Sequence, residues 1–216
     1  MKELAHVVLL HGHGRGPWAL SLLASRLRNA GFITHNLRYS ARAPTLEPII
    51  LALQRELEDR HVFATGVVHF VTHSLGGLVV RAYLSRFSPS NLGRVVMLAP
   101  PNAGTEIVDH LKTWRLFSLV LGPLAVQLGT GVDDLPANLP ELPCQVGVLA
   151  GSRSLNPLAN LFLPKPHDGT VSVARTHLDG ETDHLSVPYT HPLLMNSQKV
   201  AHQVVFFLQH GTFERV

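Results

Sequence analysis

Cysteine is almost missing. Cys144 is the single one in 216 residues, which excludes an internal disulfide framework and a multi-cysteine metal site. Charge is sparse too: Asp, Glu, Lys and Arg make up 15% of the chain. An average soluble protein has roughly 25%, so a disordered chain held open by repulsion is excluded. Long apolar runs are lacking. Gly122-Pro123 interrupts the best candidate, Leu116 to Val126, short of the roughly 18 residues that cross a bilayer. The first apolar run, Val7 to Leu10, leads into His11-Gly12 with no small-residue cleavage site. It is expected to be a core strand of a cytoplasmic protein. Adjacent Lys or Arg residues and basic stripes with interleaved aromatics are absent as well. The net charge of +3, from 18 Lys and Arg against 15 Asp and Glu, is therefore dispersed, and nucleic acid is not an expected partner.

What remains is enough chain for one domain with a full core. Short β-rich runs alternate with segments of helical period. Strands are predicted at Ala5 to Leu10, Phe32 to Leu37, Val67 to Thr72, Arg94 to Ala99 and Gln145 to Ala150, with a weaker one near Thr182 to Val187. Helices are predicted after Pro17, over Pro48 to Arg60, Leu75 to Phe87 and Ser197 to Gln209. This alternation implies a single doubly wound α/β domain. Its mostly parallel sheet has about six strands, with helices on both faces. Ligands of such sheets bind beyond the carboxyl ends of the strands. Residues 101–143 interrupt the pattern with no convincing strand. An insertion so much longer than the roughly 12–15 residues of a plain loop is expected to be a lid or binding flap.

The most specific motif is VVHFVTHSLGGLVVRAYL, in which a strand runs through Thr72-His73-Ser74-Leu75-Gly76 into a helix. In that context a serine can stand on a sharp strand-to-helix turn with its hydroxyl above the sheet. Residues two before and two after it crowd together, which Gly76 accommodates. Thr72 is bulkier than the glycine usual at the first position, so the match is partial. Serine needs a base, and the base an acid to orient it. Downstream, in the order acid then histidine, lie Asp168 in HDGTV and His191 in VPYTHPLLM, with His184 as a rival base. An acid before Gly169 is also ordinary turn chemistry. The loop HGHGRG after the first strand offers the backbone N–H of His13, which with that of Leu75 could hold an oxyanion.

Together, strand-HGHG, THSLGG before a helix, LAPPNAGTE after the next strand, a late DGTV and a terminal HPLLM resemble the lipase/esterase branch of the α/β-hydrolase fold. The small bacterial triacylglycerol-lipase-like members are most similar. The resemblance implies a Ser74–His191–Asp168 triad, an oxyanion hole from His13 and Leu75, and carboxylic-ester hydrolysis through an acyl-enzyme. No cofactor and no metal are implied; the expected partner is a small-molecule or lipid-like ester. Trp114, Leu116, Phe117 and Val120 are expected to line an apolar cleft, in company with Leu124 and Val126, and short- to medium-chain acyl groups are the expected fit. The same residues equally serve to pack the insertion onto the domain.

Other classes remain open. HGHGRG contains G-x-G after a strand, but its third glycine is misplaced. No Asp or Glu lies between Glu3 and Glu47 to hold a ribose, which disfavours an NADP-dependent oxidoreductase. His11-x-His13 is reminiscent of metallohydrolase ligands, yet Arg15 stands where a further acid is wanted. A non-catalytic binding protein on the same scaffold, and an acyltransferase, share every feature named above.

Overall fold

The central strands of the sheet are apolar on both sides because both sides are covered. In β1 (Ala5–Leu10), Val7 and Leu9 enter one buried layer while Val8 and Leu10 enter the other. The same two-residue period recurs in β3 (Val67–His73), where Phe70 faces one layer and Val71 the opposite one. The computed structural model describes residues 5–114, 119 and 121–215. Six strands form one all-parallel sheet in the order β2-β1-β3-β4-β5-β6, with β2 at Ile33–Leu37, β4 at Leu92–Leu98, β5 at Val146–Gly151 and β6 at Asp183–Val187.

Helices α1 (Ser21–Asn29) and α5 (Gln198–His210) cover one face, burying Leu23, Leu27, Val200 and Val204. Helices α2 (Glu47–Asp59) and α3 (Leu75–Arg86) cover the other with Ile49, Leu53, Leu78 and Val79. Local chemistry sets the ends. The Ser197 side chain accepts the Val200 N–H at 3.3 Å to start α5, and Gly211, at φ 82°, stops it. The doubly wound α/β class expected from the alternation is the one found. β6 reads weakly in sequence because it is an edge strand paired only to β5, and none of its residues is fully buried.

The chain steps from β1 out to β2 and then back across β1 to β3, so the connections diverge between β1 and β3. The crevice of such a sheet opens at that point of reversal, outside the carboxyl ends. Register decides what lines it. Leu10 pairs with Thr72, which sets His11-Gly12-His13 beside His73-Ser74-Leu75.

Between β4 and β5 the described residues contain α4 (Glu106–Leu111), two short 3-10 turns and no strand. Leu124 and Leu128 are buried in the layer shared with α2 and α3. Of the two roles expected for it, Leu124 takes the packing one: it anchors the segment to the body, worth roughly 1.5–3 kcal/mol for a fully buried leucine. Gln127 adds a hydrogen bond of 2.9 Å to the Pro44 carbonyl.

Candidate active site

β3 ends at His73 and α3 begins at Leu75, leaving Ser74 as the only linking residue, at φ 53° and ψ −123°. An L-residue enters that region at a cost of order 1–3 kcal/mol, supplied here by the packing of strand and helix. The close approach has a visible cause. A Cβ on Gly76 would lie 2.4 Å from the Leu10 carbonyl oxygen, so only glycine lets α3 come this near β1. Thr72 is accommodated in full burial, although its Oγ1 has no partner among the described residues. Because α3 starts right after Ser74, the Leu75 N–H is among the first helical donors, which lack an intrahelical acceptor.

Opposite stands the loop after β1. A Cβ on Gly12 would meet Ser74 Cβ at 3.0 Å and His73 Nδ1 at 2.9 Å, so the loop carrying His13 presses directly on the serine turn. The Tyr39 hydroxyl donates to the His11 carbonyl and the two rings stack at 4.3 Å, holding the loop from below.

Asp168 and His191 come together from separate loops. His191 Nδ1 lies 2.6 Å from Asp168 Oδ2, and the His191 N–H donates to the Asp168 carbonyl at 3.0 Å. The Asp168 side chain is fully buried. Its other oxygen, Oδ1, accepts the N–H groups of Thr170 and Val171, each at 2.8 Å. Turn chemistry and histidine contact thus coexist, one oxygen for each. The acid loop rests on the end of β5, where a Cβ on Gly151 would fall 2.6 Å from Asp168 Cβ. The rival His184 sits in mid-β6 opposite Val148, bonded to Thr176 Oγ1 at 2.9 Å and stacked on His177.

His73 links the histidine loop to the serine turn. Its Nε2–H donates to the His191 carbonyl at 3.0 Å, and the two rings lie 4.7 Å apart. Burial, reinforced by His191 beside it, pushes the His73 imidazole well below 6.5, so it stays neutral. Nothing in the sequence distinguishes this histidine from its neighbours except its place before Ser74. The NAGTE stretch, noted in the sequence as part of a motif, has a structural role that its letters do not announce. Asn102 Nδ2 donates to the Thr176 carbonyl at 2.9 Å, Thr105 Oγ1 to the Thr170 carbonyl at 2.6 Å, and Glu106 pairs with Arg175 at 2.9 Å. Those three contacts brace the loop that carries Asp168. Buried Arg81 donates to the carbonyls of Asn102, Leu139 and Pro140, tying α3 to the same brace.

Of the residues expected to contact substrate, Trp114 is exposed, as is the neighbouring Leu119. Leu116, Phe117 and Val120 lie outside the described residues. Among the described residues one group has metal-ligand character, His177, Glu181 and His184, whose ligand atoms fall within 4.8 Å of one another. Its atoms are already engaged, since His177 Nδ1 meets Glu181 Oε1 at 2.5 Å and His184 Nε2 meets Thr176.

A family model described as an alpha/beta hydrolase family matches residues 7–211, nearly the whole length. The chain belongs to the alpha/beta hydrolase family. No curated protein matches it. Solved structures share the fold at low identity. A Bacillus licheniformis lipase in its mature form has TM-score 0.73 at 18% identity, covering 99% of this chain and 94% of that one. The Legionella pneumophila phospholipase PlaB has TM-score 0.71 at 15%, covering 97% of this chain and 60% of the phospholipase. A pyrethroid hydrolase from Sphingobium faniae has TM-score 0.61 at 13%, covering 96% and 98%. In this hydrolase no helix among the described residues is long and apolar enough to cross a membrane.

Proposed function

We propose that this hydrolase cleaves carboxylic esters with short- to medium-chain acyl groups through an acyl-enzyme on Ser74. The observation that carries the reading is the 2.6 Å contact of His191 Nδ1 with Asp168 Oδ2, joined through His73 to a serine at φ 53°. Asp168 accepts the Nδ1–H, which leaves the lone pair of His191 on Nε2. Ser74 Oγ attacks the ester carbonyl as its proton passes to Nε2. The resulting oxyanion takes hydrogen bonds from the N–H groups of Leu75 and His13, and loss of one such donor typically costs about 3 kcal/mol. Collapse expels the alcohol, which takes the proton from His191. Water then repeats the sequence on the acyl-enzyme and releases the acid. Side chains and backbone suffice, so no cofactor or metal enters the scheme.

Residues 101–143 act as the lid in this reading, with Trp114 and Leu119 as exposed apolar surface for the acyl chain and Leu116, Phe117 and Val120 as further contacts.

The test is hydrolysis of 4-nitrophenyl esters from acetate to laurate, with fluorophosphonate labelling alongside. Wild type should be labelled and active. Ser74→Ala should lose the label and more than about 10⁴-fold in kcat. A folded wild type that neither labels nor hydrolyses would leave a non-catalytic scaffold. Faster acyl transfer to an added alcohol than to water would make it an acyltransferase.

A further inference from the structure

Beside the loop after β1 lies a cavity of about 600 Å³ lined by His11, Arg15, Trp18, Arg38, Tyr39 and Ser40. It sits at the carboxyl ends of β1 and β2, next to the His13 N–H invoked above. Two arginines line it and no Asp or Glu does. Arg42 stands close by, near enough to His13 to disfavour its protonation. The exclusion of acids begins in the sequence, where residues 4–46 contain neither Asp nor Glu.

Elsewhere Arg60, Arg86, Arg175 and Arg215 each pair with a carboxylate, and Arg26, Arg28, Arg81 and Arg94 donate to neutral oxygen acceptors. Among the described residues Arg15, Arg38 and Arg42 pair with none. Cations of one sign gathered around a concave site repel one another and concentrate anions.

A second, independent observation concerns His11. His11 is 1% exposed and is one of the residues lining the cavity. Nδ1 lies 2.9 Å from the Gly12 carbonyl and must donate to it, which leaves Nε2 as a lone pair. That buried nitrogen has no partner among the described residues. A buried acceptor left open costs about 1–3 kcal/mol, which a hydroxyl donor on a ligand would relieve. Trp18 completes the site: its ring is exposed and carries the Arg15 guanidinium 5.7 Å from its centre, which orients that cation and offers an apolar platform.

Resting on the ester-hydrolase reading, we infer that the substrate is an anionic ester, whose phosphate or carboxylate is held by Arg15 and Arg38 and whose adjacent hydroxyl donates to His11. Planar guanidinium groups bind such oxyanions through paired hydrogen bonds, which a lysine ammonium does not reproduce.

Two matched ester pairs test this, one for each side of the scissile bond. The acyl side compares the 4-nitrophenyl monoester of glutaric acid with 4-nitrophenyl pentanoate. The alcohol side compares 2-(butanoyloxy)ethyl phosphate with ethyl butanoate, followed by acid release. In at least one pair the anionic member should have kcat/KM at least tenfold higher at low ionic strength, with the advantage shrinking as salt is added. The double substitution Arg15→Gln with Arg38→Gln should cut the anionic-to-neutral ratio at least tenfold, mainly through KM. Arg15→Lys with Arg38→Lys should restore part of it. Calorimetric titration with glycerol phosphate reads binding apart from chemistry: Ser74→Ala should bind it and the Gln double variant should not.

Vesicles of phosphatidylglycerol and of phosphatidylcholine separate the sources of the anion. Arginine-dependent cosedimentation with the former alone assigns a lipid headgroup; soluble turnover without cosedimentation assigns a free phosphate or carboxylate ester. Equal kcat/KM within both pairs, or an advantage that survives in the Gln double variant, overturns the inference. If no ester at all is cleaved while glycerol phosphate still binds through the arginines, the hydrolase reading falls and the anion site stands.

Discussion

Replacing Asp168 by Asn changes one atom and separates the two duties of the carboxylate. Oδ1 holds the N–H groups of Thr170 and Val171 at 2.8 Å, while Oδ2 holds His191 Nδ1–H at 2.6 Å. An amide has one acceptor oxygen to divide between them. Kept on the two backbone donors, it turns its NH2 toward His191, donor against donor. The imidazole relieves this by carrying its proton on Nε2 instead, which removes the lone pair meant for Ser74. The reverse orientation sets the NH2 against two buried N–H groups, about 1–3 kcal/mol for each one unpaired, and is disfavoured.

The expected result is a fall in kcat of about 10³–10⁴ on 4-nitrophenyl butanoate, near the ~10⁴ that the same change costs a well-characterised serine triad. At 1.36 kcal/mol per factor of ten that is about 4–5 kcal/mol of transition-state stabilisation. KM should move little, because the carboxylate does not touch substrate. The loss should also be smaller than for Ser74→Ala, which removes the proposed nucleophile itself. Thermal unfolding of the same samples controls for folding. Activity within tenfold of wild type, with the melting temperature held, would reduce Asp168 to a turn residue and refute its proposed role in fixing the His191 tautomer.

Gly76→Ala drives a methyl to 2.4 Å from the Leu10 carbonyl oxygen. It should lower the urea midpoint by about 1–3 kcal/mol of stability, beyond the roughly 1 kcal/mol that alanine gains in helix propensity. Gly77→Ala meets a side-chain carbon, Pro100 Cβ, at 2.9 Å and should cost less; equal stability of the two variants would contradict the close-approach argument. Acid should destabilise the fold through its buried histidines. His69 accepts the Arg94 N–H at 2.8 Å, and burial pushes it down to about 4. Since that is below the 6.5 of the unfolded chain, the unfolded state binds more protons. Stability is therefore full above pH 6.5 and drains toward pH 4, with about 2 kcal/mol gone by pH 5 from this residue. His73, lowered in the same direction, adds to the loss. Urea titrations at pH 7 and pH 5 check this: His69→Gln should lose less between the two than wild type, and an equal loss would refute the assignment.

The layers of the fold were legible because each strand and helix advertises its own period. All six strands and helices α2, α3 and α5 appear within one or two residues of where alternation and four-residue spacing put them, whereas α1 starts at Ser21 because a 3-10 turn takes up Pro17–Leu20. β6 reads faintly because an edge strand, covered on fewer sides, needs less continuous apolar sequence. The insertion was the hardest part to read. An apolar residue such as Leu124 can face a cleft or fill a core with the same letter, and only its neighbours α2 and α3 decide. In the site, Ser74 stands out because a strand, a serine and a helix are contiguous. His73 does not, because its contact is with a backbone carbonyl 118 residues away.

Local chemistry by itself determined the α/β class, the serine between β3 and α3, and the acid-free stretch around HGHGRG. Those depend on spacing and composition, which are properties of adjacent residues. Which of 14 histidines meets Asp168, and that Arg15 and Arg38 line the same cavity as His11, whose Nε2 has no partner among the described residues, was decided only in three dimensions. Strand order and register bring together loops that the chain keeps far apart, and a hydrogen bond forms according to distance in space.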